Sequence, residues 1–319
     1  MNRFFILVFI LLYQVSFSQQ DSISNQAFYE RYSGKLSTKI FTLNRSNDFE
    51  LYDENADKRI LLTPNRKTSL GFSANYDILA FSIGFAPAFL TENRDNKNSK
   101  LLSFSTDLFL GRWIQHLDLF YQKGMTLELL NEPSIYLENL KTFKVGGSTS
   151  FNFNPNFSYK AKNFENERQL KSTGSFIPSL VYYYTSIQQT KEVDYDTKAR
   201  FINFAIAPAY HYNWVIDEHF LVSGGLSLGL GLTQTIDSDR SVTTLLTTSS
   251  IDLSVGYNTD NFYAGIISKG TLQKQNNGAN VVGDDTIRSI SFLIGYRFNA
   301  PQFVKDANRA VYNFFSRKN

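Results

Sequence analysis

A handful of residues in this chain have the types and spacing that chemistry needs. Gly225-Leu226-Ser227-Leu228-Gly229 fits the G-x-S-x-G string of serine hydrolases. That string works on a sharp strand-to-helix turn, whereas here it lies inside a Leu/Gly alternation with no helical pattern behind it, so it reads as coincidence. Lys171-Ser172-Thr173-Gly174 shares a fragment with phosphate and penicillin sites but lacks the glycine-rich approach of a phosphate loop, and reads as a polar rim loop. Three histidines are present. His116 and His219 stand beside expected tight turns, and His211 is expected to face a lumen and make a structural hydrogen bond. No two of them share a spacing that would build a metal site, so no catalytic residue, metal or cofactor is assigned.

The elements that would position these residues have a period of two. Ile202, Phe204, Ile206, Tyr210, Tyr212 and Trp214 oppose Asn203, Ala205, Ala207, Ala209 and His211. Val222, Leu226, Leu228, Leu230 and Leu232 oppose Ser223, Gly225, Ser227, Gly229 and Gly231. Ile290, Phe292, Ile294, Tyr296 and Phe298 oppose Ser289, Ser291, Gly295 and Arg297. Repeated around a dozen times, this pattern is a large antiparallel sheet.

A soluble sandwich and a membrane barrel share that alternation, and three features select the barrel. The apolar rows end in aromatic residues, giving an expected girdle of Tyr76, Trp113, Tyr121, Tyr212, Trp214, Tyr257 and Tyr296. The other row carries Gly, Ser and charge, which suits a tight, wet interior. Asp107, Arg112, Asp118, His211, Asp252 and Arg297 are the expected lumen network. A salt-bridge network is favoured there over a reaction centre, because buried charges must be paired. Finally, tight turns (Asp77 to Leu79, Arg112 to Gln115, Asn154 to Asn156, Asp217 to His219, Asn258 to Asn261) mostly alternate with longer polar connections (Thr91 to Lys100, Asn131 to Leu140, Gln188 to Lys198, Lys274 to Thr286).

Thirteen candidate strands begin near Lys35, Thr68, Ala80, Lys100, Gln115, Thr142, Phe157, Gly174, Arg200, His219, Val242, Asn261 and Ile287. Single-chain bacterial barrels normally have an even number. The count breaks between Phe157 and Arg200, so either a strand is hidden there or one candidate is not in the wall. The expectation is an all-β transmembrane antiparallel barrel of 12 to 14 strands over residues 35–299. Before it, residues 1–18 read as a signal peptide: a cationic Met1-Asn2-Arg3, an apolar run from Phe4 to Val15, and small residues Ser16 and Ser18 before a cut at Gln19. Residues 19–34 form an N-terminal periplasmic segment. After Pro301 the period changes to three and four (Phe303, Val304, Ala307, Ala310, Val311, Phe314, Phe315), with Lys305, Arg309, Arg317 and Lys318 elsewhere. Residues 300–319 therefore read as a short basic amphipathic helix, lying on the inner membrane face or folded under the barrel mouth.

Composition closes off other classes. Past the first 18 of the 319 residues no apolar run of about 20 residues exists, so the chain is not a helical membrane protein. With no Cys there is no thiol chemistry, disulfide scaffold or lipoprotein anchor. A net charge of +3 spread along the chain gives no stripe for nucleic acid. The mean hydropathy of -0.25 is what a barrel shows when a polar row dilutes its lipid-facing one.

Two stretches, Phe157-Ser158-Tyr159-Lys160-Ala161 and Glu167-Arg168-Gln169-Leu170-Lys171-Ser172-Thr173-Gly174-Ser175-Phe176, closely resemble the most recognisable segment of the family called domain of unknown function 4421, predicted outer-membrane barrels of Bacteroidota. Thr63-Pro64-Asn65 with Leu70-Gly71-Phe72-Ser73-Ala74-Asn75-Tyr76, then Ala207-Pro208-Ala209-Tyr210, and the closing Gly295-Tyr296-Arg297-Phe298-Asn299-Ala300-Pro301, are similar to further parts of it. The resemblance implies location and fold, and transfers no catalytic residue. The reading that follows is a non-enzymatic outer-membrane barrel, either a narrow or plugged channel or an envelope-organising protein. Its expected partners are outer-membrane lipid, the barrel-assembly machinery and a small solute or periplasmic protein. The alternatives are a lipid-modifying enzyme using a Ser-His pair with His211 or His116, and a scaffold that binds through outer loops or the C-terminal tail.

Overall fold

The computed structural model describes residues 27–316 except 54–57, 65–66, 78, 86, 91–97, 130–132, 190–196, 237–240 and 277–280. The expected signal peptide, residues 19–26, parts of the long connections, Arg317 and Lys318 lie outside the described residues, as do the side chains of Phe314 and Phe315. The strands are β1 (Tyr29–Arg31), β2 (Lys35–Asp53), β3 (Lys58–Pro64), β4 (Lys67–Tyr76), β5 (Leu79–Phe85), β6 (Lys100–Leu110), β7 (Trp113–Leu129), β8 (Ile135–Phe151), β9 (Glu167–Gln169), β10 (Thr173–Phe176), β11 (Ser179–Gln189), β12 (Thr197–Ala207), β13 (Ala209–Ile216), β14 (Phe220–Ile236), β15 (Ser241–Asn258), β16 (Phe262–Asn276) and β17 (Val281–Asn299). Among the described residues two α-helices accompany them, a single turn α1 (Tyr159–Lys162) and the C-terminal α2 (Gln302–Ser316), besides a 3-10 turn at Ala88–Leu90.

The wall is a closed antiparallel ring of 12 strands, β2-β4-β5-β6-β7-β8-β11-β12-β14-β15-β16-β17, with β17 pairing back onto β2. Closure leaves no free edge, so the ladder bonds that a bilayer core demands are made from strand to strand around the ring. Prolines interrupt three wall strands because they cannot donate to the ladder. β3 and β4 run in line along β2 around Pro64, β10 and β11 meet at Pro178, and β12 and β13 meet at Pro208. Above the short β5–β6 hairpin, β3 pairs directly with β7, so the ring loses two strands toward one end.

The two ends differ. At the turn end sit Asp77, Gly111-Arg112, Asp217 to His219 and Thr259 to Asn261. Four of these residues hold the left-handed backbone a tight reversal needs: Asp77 at φ +51°, Gly111 at +62°, Asp217 at +51° and Glu218 at +57°. At the loop end β14 to β17 climb well past their apolar rows. Asn276 still pairs with Val282, so most of the expected Lys274 to Thr286 connection is ladder.

The apolar rows face outward. Leu226, Leu228, Leu230 and Leu232 are each more than half exposed, while Ser223, Gly225 and Gly229 on the alternate row are buried. Trp113, Tyr212, Trp214, Tyr257 and Tyr296 stand outward near the turn end with Tyr76; Tyr121 stands apart, near the other end of β7. The odd thirteenth candidate is resolved: the stretch beginning at Phe157 is not in the wall. α2 leaves the turn end behind Ala300, whose N–H donates to the Gly34 carbonyl at 2.8 Å. Asn308 Nδ2 donates to the Asp77 carboxylate at 3.0 Å, while Phe303, Ala307 and Ala310 remain exposed.

Candidate functional site: the plugged lumen

Residues 152–172 connect two neighbouring wall strands, β8 and β10, and fold back into the turn-end mouth instead of turning tightly. Ser158 caps α1, its hydroxyl accepting from Ala161 N–H at 3.0 Å and donating to Glu167 at 2.6 Å. Gln169 holds the base of the segment: its Oε1 accepts from the Ser158 N–H and from Asn213 Nδ2, and its Nε2 donates to the Phe28 and Asn156 carbonyls. β9 pairs with β1, which ties the N-terminal segment into the same unit. The wall completes the frame. Asn258 Nδ2 donates to the Glu167 carbonyl, Arg297 to that of Glu165 at 2.6 Å, and Lys39 to that of Asn163 at 2.9 Å. Phe157, Ala161, Phe164, Glu165 and Glu167 are all buried.

The tip is Phe164, fully buried at φ +52°. Its ring fills a pit made by Gly256 and Gly265, a cross-strand pair of β15 and β16. A methyl on either glycine would come within 2.6 Å of that ring. Phe41, Tyr263 and Leu293 complete the apolar socket.

Above the plug lie paired charges. His116 sits between two carboxylates, Nδ1 at 2.7 Å from Asp107 and Nε2 at 3.0 Å from Asp118. Asp118 also takes Arg45 at 3.6 Å and the Tyr183 hydroxyl at 3.2 Å. Lys162 of α1 reaches the wall at Asp252, 3.5 Å, and His211 Nδ1, 3.2 Å. Gly225 opposite leaves room for the His211 ring, which explains why a glycine belongs there.

The loop-end half is narrow enough for opposite walls to touch. Lys144 on β8 meets Asp285 on β17 at 2.8 Å, and Asn203 on β12 donates to Gln273 on β16 at 3.0 Å. The void left among Arg45, Asn47, Asp118, Phe120 and Lys144 is about 10 Å³, at the lower limit for one water. Buried polar atoms of Asn47, Gln122, Thr142 and Thr185 have no hydrogen-bond partner among the described residues. Phe49, Met125 and Leu140 then form an apolar layer toward the loop end.

The plug carries a titratable group poised near neutrality. Burial, reinforced by Asp107, pushes the Glu165 carboxyl up to about 7 against the pull of Lys39, Lys160 and Lys269. A carboxyl raised on folding contributes stability below its ordinary value and loses it as pH rises through about 7. Seating should therefore weaken as pH rises from about 4.5 to about 7. Because the chain has no Cys, Ala161→Cys gives a clean reporter. Its labelling by a water-soluble thiosulfonate should accelerate across this range more than in the same variant carrying Glu165→Gln; equal acceleration would remove the role assigned to Glu165.

The structure places the expected lumen residues unevenly. Asp107 and Asp118 join one cluster, His211 and Asp252 another, and Arg297 is buried under the plug between the rings of Tyr32 and Tyr263. Arg112 is not in the lumen. It belongs to the Gly111-Arg112 turn, where it donates to the Asn152 and Phe153 carbonyls and covers the Phe151 ring. His116, read from sequence as a turn-end ring, is the centre of the carboxylate cluster; its signal was its inward parity with Asp118 and its pairing opposite Asp107. Lys39, Arg45, Lys144, Lys162, Glu165 and Asp285 were missed. Lys171 to Gly174 is the foot of a wall strand, with Thr173 paired to Asn213 and Gly174 to Tyr212, and the Gly225 to Gly229 string lies within β14.

Comparison with solved structures returns outer-membrane barrels at low similarity. OmpT of Vibrio cholerae is 8% identical over 82% of this chain and 98% of its own, TM-score 0.33. The β domain of the Bordetella autotransporter BrkA is 8% identical over 83% and 100%, TM-score 0.39. OprG from Pseudomonas aeruginosa is 11% identical over 85% and 98%, TM-score 0.27. No curated protein matches the sequence. The family model for the domain of unknown function DUF4421 matches residues 19–298, nearly the whole barrel and its plug, and the chain belongs to that family.

Proposed function

We propose that the protein is an outer-membrane barrel, exported by the signal peptide at residues 1–18, that serves as a narrow channel for small polar solutes, shut at rest by its own plug at the turn end and by the Lys144–Asp285 and Asn203–Gln273 contacts across the loop-end half. The turn end then faces the periplasm and the loop end the exterior. The observation that carries this reading is the seating of residues 157–169 inside the turn-end mouth beneath a lumen whose side chains are polar and incompletely paired. A barrel serving only as a rigid scaffold has no need of wettable side chains such as Asn47, Gln122 and Thr142 along its axis.

Planar-bilayer recording tests it. The full chain should be almost silent, and a variant in which residues 158–168 are replaced by a short Gly-Ser turn and the loop-end contact is released by Lys144→Ser with Asp285→Ser should conduct in discrete steps. Silence of both proteins, with the variant still migrating as a folded barrel, would overturn the channel reading.

A scaffold role draws on a separate observation, the exposed apolar stripe of Phe303, Ala307 and Ala310 on α2. A periplasmic partner captured only when residues 301–319 are present would support it. The lipid-enzyme alternative finds less to stand on: Asp107 and Asp118 occupy both ring nitrogens of His116, and Nδ1 of His211 faces Lys162.

A further inference from the structure

The lipid-facing wall has a notch unrelated to the lumen. Outward side chains on β14 and β16 are tall where those of β15 between them are small. Leu228 is paired with Ser249 and Ser249 with Leu272; one step higher, Leu230 is paired with Thr247 and Thr247 with Lys274. Leu245 and Ile251, both more than half exposed, stand above and below the two small residues on β15. At the adjoining edge Pro208 breaks the wall strand beside Ile206. Between Leu245 and Ile251, the two small residues line a groove of about 700 Å³ with Ile206, Pro208, Leu228, Leu230, Leu272 and Lys274, and it opens to the outside of the barrel.

Its depth in the membrane follows from β16. A strand tilted about 40° gains roughly 2.6 Å of height per residue, so the rise from Phe262 at the turn-end girdle to Leu272 is about 25 Å, the height of an apolar band. The groove therefore occupies the half of the wall nearer the loop end, and Lys274 stands just above the apolar band at its mouth. Lys198 and Arg200, exposed on the outward row of β12 above Ile202, add two cations along the same rim. Asp284, opposite Lys274 across the β16–β17 ladder, is the acidic neighbour and leaves the rim net positive.

The geometry points to a specific lipid site: the groove takes an acyl chain of an outer-leaflet lipid, and Lys274 meets its net-negative phosphate head group. Apolar walls in contact with the membrane exclude a soluble ligand, and a cation at the level of the head groups selects among lipids by charge.

Native mass spectrometry from nanodiscs of equimolar phosphatidylglycerol and phosphatidylcholine tests this on the full chain. The wild type should retain one lipid, enriched several-fold in phosphatidylglycerol. Lys274→Gln should keep the retained lipid and bring the ratio near one. Ser249→Leu, which fills the notch, should lose it, and Thr247→Leu serves the same purpose if the first variant does not fold. The inference falls if the wild type retains no lipid or no excess of phosphatidylglycerol, if filled-notch variants retain as much as the wild type, or if the notch instead holds a second copy, seen as a dimer that Ser249→Leu dissociates.

Discussion

Phe164→Ala is expected to unseat the plug while leaving the barrel wall closed. Truncating a fully buried aromatic costs about 3–5 kcal/mol through lost transfer energy and an unfilled cavity. Here the loss falls almost entirely on the plug, because the ring is the apolar anchor at its tip, while Phe157 and Tyr159 pack nearer its base. Ala161→Cys should label many-fold faster, and channel events should become frequent once Lys144→Ser with Asp285→Ser also releases the loop-end half. Gly265→Ala should act similarly, since its added methyl would come within 2.6 Å of the Phe164 ring. Placed together, the two changes should be less disruptive than the sum of their separate effects, because the methyl then has a cavity to enter. Strict additivity would mean that Phe164 and Gly265 do not share the socket.

Removing one partner of the Lys144–Asp285 pair should have the largest effect on the wall itself. The two side chains are 4% and 12% exposed, and they join strands on opposite sides of the lumen. Lys144→Ala leaves Asp285 charged in a confined space, with one oxygen already lacking a partner. Loss of one member of such a pair costs about 3–5 kcal/mol. The denaturant midpoint of the folded barrel should fall markedly for Lys144→Ala. Lys144→Met combined with Asp285→Leu should recover most of the loss, because the penalty arises from the stranded charge. A double variant as unstable as the single would show that the pair stabilises on its own account.

The wall was legible because its pattern is dense. Residues such as Leu226 to Leu232 and Ile290 to Phe298 each vote for the same face, so the strand count needed only one correction. That correction has a local cause. Phe157-Ser158-Tyr159-Lys160-Ala161 alternates apolar and polar like a strand, yet Ser158 is a helix cap and Glu167 a partner for it nine residues on, a relation no period reveals. The lumen was half legible. Parity placed Asp107, Asp118, His211 and Asp252 inside; which of them meet depends on the stagger of strands around the ring. Lys144 and Asp285 are 141 residues apart and face each other only because the ring narrows where β3 replaces the β5–β6 hairpin. Arg112 shares its type with true lumen residues, but the left-handed Gly111 beside it makes that point a turn.

Because the plug is a connection between adjacent wall strands rather than a terminal domain, both its ends are fixed to the barrel. It cannot diffuse away, compete with free copies or be lost to dilution. Its local concentration at its own socket is set by the twenty or so residues that carry it, in the millimolar range typical of short tethers. Opening is therefore a first-order event whose equilibrium is independent of how many barrels a cell contains. A population of such barrels would respond to conditions at the membrane one molecule at a time, each reclosing without help.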